Sequence, residues 1–321
     1  MVQMKTFLAT LCLSLVATSM SAQSTFGTIT GLVTDSSGAV IPNVTVVATN
    51  TQTGSRAETS SSSTGNYVIP SLQVGPYQIS VSVTGFKSYA RSGITIASND
   101  NLRADIVLEV GAASEHVQVT AEAAALKTES TEVSTTMENK LVADIPLAVA
   151  GIGGGMRNAF SIMMMLPQVK SGNGQSAWDD LQIGGGQQHD FNVSVDGLSV
   201  EMGWRNHVGY MNRLTPSVDS VEELHIETAA FKAENSRVSG GNVSITTKSG
   251  TNELHGSAFD YFQSQVFNAN TWLNNSLGRQ KSKFHRNDFG ATLGGPVFIP
   301  KIYNGKNKTY FFYSYEGYRY P

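Results

Sequence analysis

The sequence holds one cysteine, Cys12, in 321 residues. That excludes a disulfide framework and a cysteine-ligated metal site. Charge is scarce too: 15% of residues are charged, the formal net charge is −3, and no basic run occurs. Phosphate binding needs clustered Lys and Arg, so nucleic acid is not an expected partner. Catalytic signatures are missing. There is no HExxH, no GxSxG and no Walker loop, and His225-Ile226-Glu227 has the wrong spacing for a His-x-x-Glu zinc pair. The six histidines are scattered, without Cys or carboxylate neighbours at ligand spacing. Gly151-Ile152-Gly153-Gly154-Gly155 has Met156 where a dinucleotide fingerprint needs its third glycine. No catalytic, metal-binding or cofactor-binding residue is expected, and an enzyme is not the expected class.

What is present suits a folded, strand-rich chain. Apolar residues make up 40%, and 31 glycines accompany many Ser, Thr and Asn. Residues 1–22 read as a secretory signal: Lys5, the apolar run Phe7–Ala17, then Met20-Ser21-Ala22 before Gln23. With Cys12 inside that leader, the exported chain would contain no cysteine.

Residues 23–110 read as a small all-β domain. Tyr77, Ile79, Val81 and Val83 alternate with Gln78, Ser80 and Ser82. Leu102, Ala104, Ile106, Leu108 and Val110 repeat the pattern against Arg103, Asp105 and Glu109. Turn signals at Ser36-Ser37-Gly38, Thr53-Gly54, Thr64-Gly65-Asn66 and Gly75-Pro76 separate the runs, predicting a sandwich of about seven strands. The stretch Gly31–Val46, with Thr64-Gly65-Asn66-Tyr67, Leu72–Tyr77 and Gly85-Phe86, resembles the carboxypeptidase regulatory-like domain. That resemblance implies a transthyretin-like or Ig-like β-sandwich, also described as a carbohydrate-binding-like fold. It does not imply peptidase activity.

Residues 111–128 read as a linker, within which Glu115-His116-Val117-Gln118-Val119-Thr120-Ala121 alternates as one short strand. Residues 129–250 form a mixed α+β segment. Asn158–Leu166 is predicted helical, and strand-like stretches with glycine turns fall at Leu181–Ile183, Asn192–Gly197, Val221–Ile226 and Asn242–Gly250. From 251 to 321 the period is two with many aromatics: Phe289, Ala291 and Leu293, then Phe311, Tyr313 and Tyr315. A membrane barrel strand reads this way, and so does a soluble sheet.

Ordered matches through the second half resemble TonB-dependent outer-membrane receptors of the Oar-like type. They include Asp144–Leu147, Leu166–Val169, Asn192–Gly197, Ser220–Leu224, Gly240–Ser244, Thr247–Asn252, Phe289–Val297 and Tyr315–Arg319. The resemblance implies a plug domain at 129–250 and the first strands of a transmembrane β-barrel at 251–321. It further implies an outer-membrane location in contact with lipid, an extracellular ligand (carbohydrate among the candidates), and TonB as partner. The family's Tyr-Gly pair is replaced by Asn235-Ser236, and its Pro-Gly-Val by Pro167-Gln168-Val169.

A plugged barrel takes about 22 strands of roughly 9–11 residues each. Residues 251–321 suffice for about three to five strands, so the sequence is expected to be the N-terminal part of a longer receptor. Glu115, Val117, Val119, Thr120 and Ala121 resemble the short TonB box that precedes receptor plugs. Such a box adds as a strand to a partner sheet; an extra strand of the first domain or an inert linker is the alternative. Trp178, Trp204 and His207 fall in plug-like loops that could face a ligand or anchor the loops themselves. The rival to the receptor is a secreted or periplasmic binding module that uses the sandwich to hold carbohydrate or protein.

Overall fold

A computed structural model describes residues 26–111, 116–120, 133–139, 163, 166–170, 182–187, 190–200, 216–229, 238–281 and 283–319. The expected leader and the predicted helix at 158–166, apart from Met163 and Leu166, lie outside these residues.

The first domain contains β1 (Gly27–Asp35), β2 (Thr45–Asn50), β3 (Arg56–Ser60), β4 (Asn66–Leu72), β5 (Gly75–Val81), β6 (Ser88–Ile96), β7 (Asn101–Arg103), β8 (Ile106–Leu108) and β9 (His116–Thr120). One sheet runs β4-β1-β7, with β8 also on β1; the other runs β3-β2-β5-β6-β9. Ile29, Val33, Tyr67 and Ile69 from the first sheet meet Val46, Ile79, Val81 and Ile94 from the second in one core. Alternation explains the match, because successive strand residues face opposite sides and only every second one is buried.

β7 and β8 are successive parallel partners of β1, broken at Ala104-Asp105. At the break the Tyr67 hydroxyl donates to the Ala104 carbonyl at 2.5 Å. Gly31 is required opposite it, since a Cβ there would meet the Ala104 carbonyl oxygen at 2.2 Å. Burial, the largest cause, holds the Tyr67 hydroxyl neutral by raising its pKa far above the usual phenol value. Tyr67→Phe leaves that carbonyl without its donor, and urea unfolding is expected to show a loss of about 1–3 kcal/mol.

The middle sheet uses β10 (Val133–Glu138), β13 (Asn192–Val195), β14 (Leu198–Ser199), β15 (Val221–Ala229) and β16 (Asn242–Thr247), in the order β10-β15-β16-β13-β14. β11 (Val169–Lys170) and β12 (Gln182–Ile183) form a separate hairpin. All four strand-like stretches of this segment form strands. The sheet is two-faced. Met137, Val193, Leu224, Ile226, Val243 and Ile245 form one core with Phe191 and Met163. The opposite face carries Thr136, Ser194, Glu223, His225, Glu227, Asn242 and Ser244, most of them buried.

β17 (His255–Ser264), β18 (His285–Pro296) and β21 (Tyr310–Arg319) form an antiparallel meander. Between β17 and β18 lies the short helix α1 (Trp272–Ser276), N-capped by the Thr271 side chain. The small hairpin β19 (Phe298–Ile299) and β20 (Tyr303–Asn304) connects β18 to β21.

Candidate functional site at the junction of sandwich, middle sheet and meander

The meander sorts its side chains by register. Ala258, Ala291 and Tyr315 lie side by side, as do Leu293 and Tyr313, with Phe262 and Phe289 on the same face. Phe262, Leu293, Tyr313 and Tyr315 are exposed there. The other face gathers the buried polar groups, with Phe259, Tyr261, Phe312 and Tyr318 among them. Ser257 and Thr292 share a hydrogen bond of 2.8 Å, and the buried Arg286 donates to both oxygens of Asp288 at 3.0 and 2.9 Å. From the middle domain, Ser217 Oγ donates to Glu316 Oε2 at 2.5 Å on this polar side. Strands of ten to twelve residues, apolar outside and polar inside, have the length and two-sidedness needed to cross a bilayer.

The turn-rich end of the meander holds the sandwich. Asn252 donates its backbone N–H to Gln52 O at 3.0 Å, and the Tyr310 hydroxyl donates to Thr53 O at 2.5 Å. Asn252 and Asn307 exchange two hydrogen bonds, at 2.7 and 2.8 Å. Gly54 has a φ of +69° and takes this approach without a side chain; a Cβ there would sit 2.2 Å from Asn307 Oδ1. Between the three units lies a cleft of about 720 Å³, lined by polar groups that include Gln52, Thr247, Lys248, Asn252 and His255, with Phe26 and Phe312 among its apolar walls.

A second contact joins sandwich and middle sheet directly. The backbone N–H of Ser98 donates to Glu223 Oε1 at 2.5 Å. Both residues are shut from solvent, at 0% and 4% exposure. Burial pushes the Glu223 carboxyl up to about 7; Asp100 and Glu222 push it further, while the Ser98 N–H and His225 oppose them. Along the same face of β15, Thr136 Oγ1 lies 2.8 Å from His225 Nδ1, and His225 Nε2 lies 3.5 Å from Glu227 Oε1. Burial also raises the Glu222 carboxyl and lowers the Lys248 ammonium, each opposed by the charge of the other. Among the described residues no cluster of His, Cys, Asp and Glu is arranged to hold a metal ion.

Of the residues expected to form a TonB box, Val117, Val119 and Thr120 lie on β9. That strand pairs in parallel with β6, from Ser88↔His116 to Ser92↔Thr120. Glu115 and Ala121 lie outside the described residues, as do Trp178, Trp204 and His207. The linker strand is thus the outermost strand of the sandwich sheet. Sequence reasoning missed the Ser98–Glu223 contact. Its one visible signal was Glu222-Glu223, two carboxylates inside a strand whose neighbours are apolar.

Family comparisons agree with this architecture. Residues 28–109 match the carboxypeptidase regulatory-like domain, and residues 246–321 match an outer membrane beta barrel domain. The chain thus carries a stretch similar to outer membrane beta barrel domains behind one similar to the regulatory-like sandwich. Over 271 residues it is 28% identical to the TonB-dependent transporter Oar of Myxococcus xanthus, covering 81% of this chain and 24% of that protein. The chain spans about a quarter of the length of that relative. Partial structural overlaps occur with the ferric enterobactin receptor of Pseudomonas aeruginosa (TM-score 0.36, 19% identity, 53% of this chain and 23% of that one). The siderophore receptor PirA of Acinetobacter baumannii overlaps similarly (TM-score 0.36, 20% identity, 52% and 22%). The assignment does not rest on these two.

Proposed function

We propose that this chain supplies the N-terminal part of a TonB-dependent outer-membrane transporter. The whole protein takes up an extracellular ligand, and energy arrives from the inner membrane through TonB. The observation that carries this reading is the two-faced meander, whose polar side receives Ser217 from the middle sheet at Glu316. A secreted binding module has no use for a sheet with an aromatic outer face and a polar inner one. In the transporter the middle domain, residues 129–250, is the plug. The meander begins the barrel wall with its outer face against lipid, and the sandwich hangs in the periplasm beneath the turn at 297–309. Oligosaccharide and siderophore both remain chemically reasonable cargo, with Trp178, Trp204 and His207 as ligand-facing residues of the plug loops.

Residues 115–121 are the segment TonB takes hold of. β9 is an edge strand, so a partner strand can add along its outer side through main-chain hydrogen bonds. Val117→Pro removes one main-chain donor and fixes φ. Pull-down of the periplasmic domain of TonB is expected to be lost in this variant, while outer-membrane fractionation stays as in the wild type. Undiminished pull-down would remove the TonB-box assignment.

A further inference from the structure

The contacts around β9 lead further, on the reading that residues 115–121 are the TonB-gripped segment. From β9 two routes reach the plug. One is the chain itself, residues 121–132, which ends at β10 on the edge of the middle sheet. The other runs through the sandwich. β9 is paired over its whole length with β6. β6 ends at Ile96, and Ser98, two residues on, donates to Glu223 on β15. We propose that the sandwich domain is a force relay, through which a pull on β9 passes by way of β6 and the Ser98–Glu223 contact into the plug sheet.

Three features fit the part. First, the pairing is parallel, so the C-terminal end of β9 and the C-terminal end of β6 point the same way, towards Ser98. A pull on β9 away from the plug then shears the pair. All its hydrogen bonds share the load, whereas a strand peeled from one end breaks its bonds in turn. Second, the turn after β6 has no slack. Ala97 donates to Asp100 Oδ2 at 3.1 Å, Asp100 donates its N–H to Ala97 O at 3.2 Å, and Thr28 of β1 donates to Asp100 O at 2.8 Å. Third, the receiving residue is inside the plug sheet. β15 is flanked by β10 and β16, so force at Glu223 acts on the middle of the sheet. By contrast residues 121–132 can extend to roughly 40 Å before they become taut. The Gln52–Asn252 and Thr53–Tyr310 contacts hold the same end of the sandwich, beside the Ser98 turn, to the meander and set its orientation during the pull.

The experiment is single-molecule pulling at constant force. The whole chain is anchored at its C-terminal end and carries Cys12→Ser and a Gln118→Cys handle. In the relay, the first extension step, which frees residues 121–132, needs the Ser98–Glu223 contact to break. At pH 5, where the folded Glu223 carboxyl holds its proton, Glu223→Ala is expected to speed that step about two- to ten-fold, the factor for loss of one neutral hydrogen bond. At that pH Glu223→Gln keeps a neutral oxygen acceptor for the Ser98 N–H and is expected to hold close to the wild-type rate. Ser98→Cys with Glu223→Cys, oxidised, is expected to suppress the step until reductant is added. Equal first-step rates in wild type, Glu223→Ala and the oxidised pair would overturn the relay and send the load through residues 121–132. The Val117→Pro pull-down fails separately, because it reports whether TonB grips this strand and the pulling experiment does not.

Discussion

Glu223→Gln is expected to stabilise the chain above neutral pH and to leave it unchanged below about pH 4.5. The wild-type carboxyl sits at about 7 against an ordinary 4.5, chiefly because it is buried. Between those two pH values the folded chain holds a proton that the unfolded chain has given up. The stability present below 4.5 is therefore lost as pH rises through 7. A displacement of this size corresponds to about 3 kcal/mol. Besides burial, the groups that act on it are the Ser98 N–H, Asp100 in the turn after β6, and Glu222 and His225 on β15 itself; Glu138 is its register partner on β10. Other carboxylates also titrate over this range, so the quantity to measure is the difference between wild type and variant in urea unfolding at pH 4, 6 and 8. A difference that stays flat from pH 4 to 8 would mean that Glu223 titrates alike in the folded and the unfolded chain. If the gain appears, neutral pH loosens the joint between sandwich and plug, where the proposed relay has its weakest link.

Phe191→Ala is expected to unfold the middle domain selectively. Phe191 is 1% exposed and packs with Val193, Ile226 and Val243 in a core separate from that of the sandwich. Truncating a buried phenylalanine to alanine costs about 3–5 kcal/mol through lost transfer energy and the cavity left behind. Amide exchange is expected to rise at Val193, Ile226 and Ile245, while Ile79 and Ile94 in the sandwich keep their protection. Equal loss in both sets would show that the two cores unfold as one unit. On the proposed transporter reading the same substitution in the whole protein is expected to lower uptake without changing pull-down by TonB, since β9 belongs to the sandwich.

The sequence by itself determined the strands and their inward faces. Period-two alternation at Tyr77-Ile79-Val81 and at Phe289-Ala291-Leu293 depends only on neighbours two residues away, and backbone geometry fixes which side each residue takes. It also determined the order of units, because turn glycines such as Gly54 and Gly65 mark their own positions with positive φ. Alternation left open whether Phe289, Tyr313 and Tyr315 face lipid or an ordinary core. The tertiary structure set Arg286, Asp288 and Glu316 on the opposite face, where Glu316 meets Ser217 of the middle domain.

The fate of the segment at 116–120 also lay beyond the sequence. Five alternating residues fit a free linker strand and a sheet edge equally well, and only the parallel register with β6 distinguishes them. Nor could Glu223 be linked to Ser98, since 125 positions separate them. Local patterns record which side of a strand is apolar. Contacts between units depend on how whole sheets stack, and no short stretch of chain carries that information.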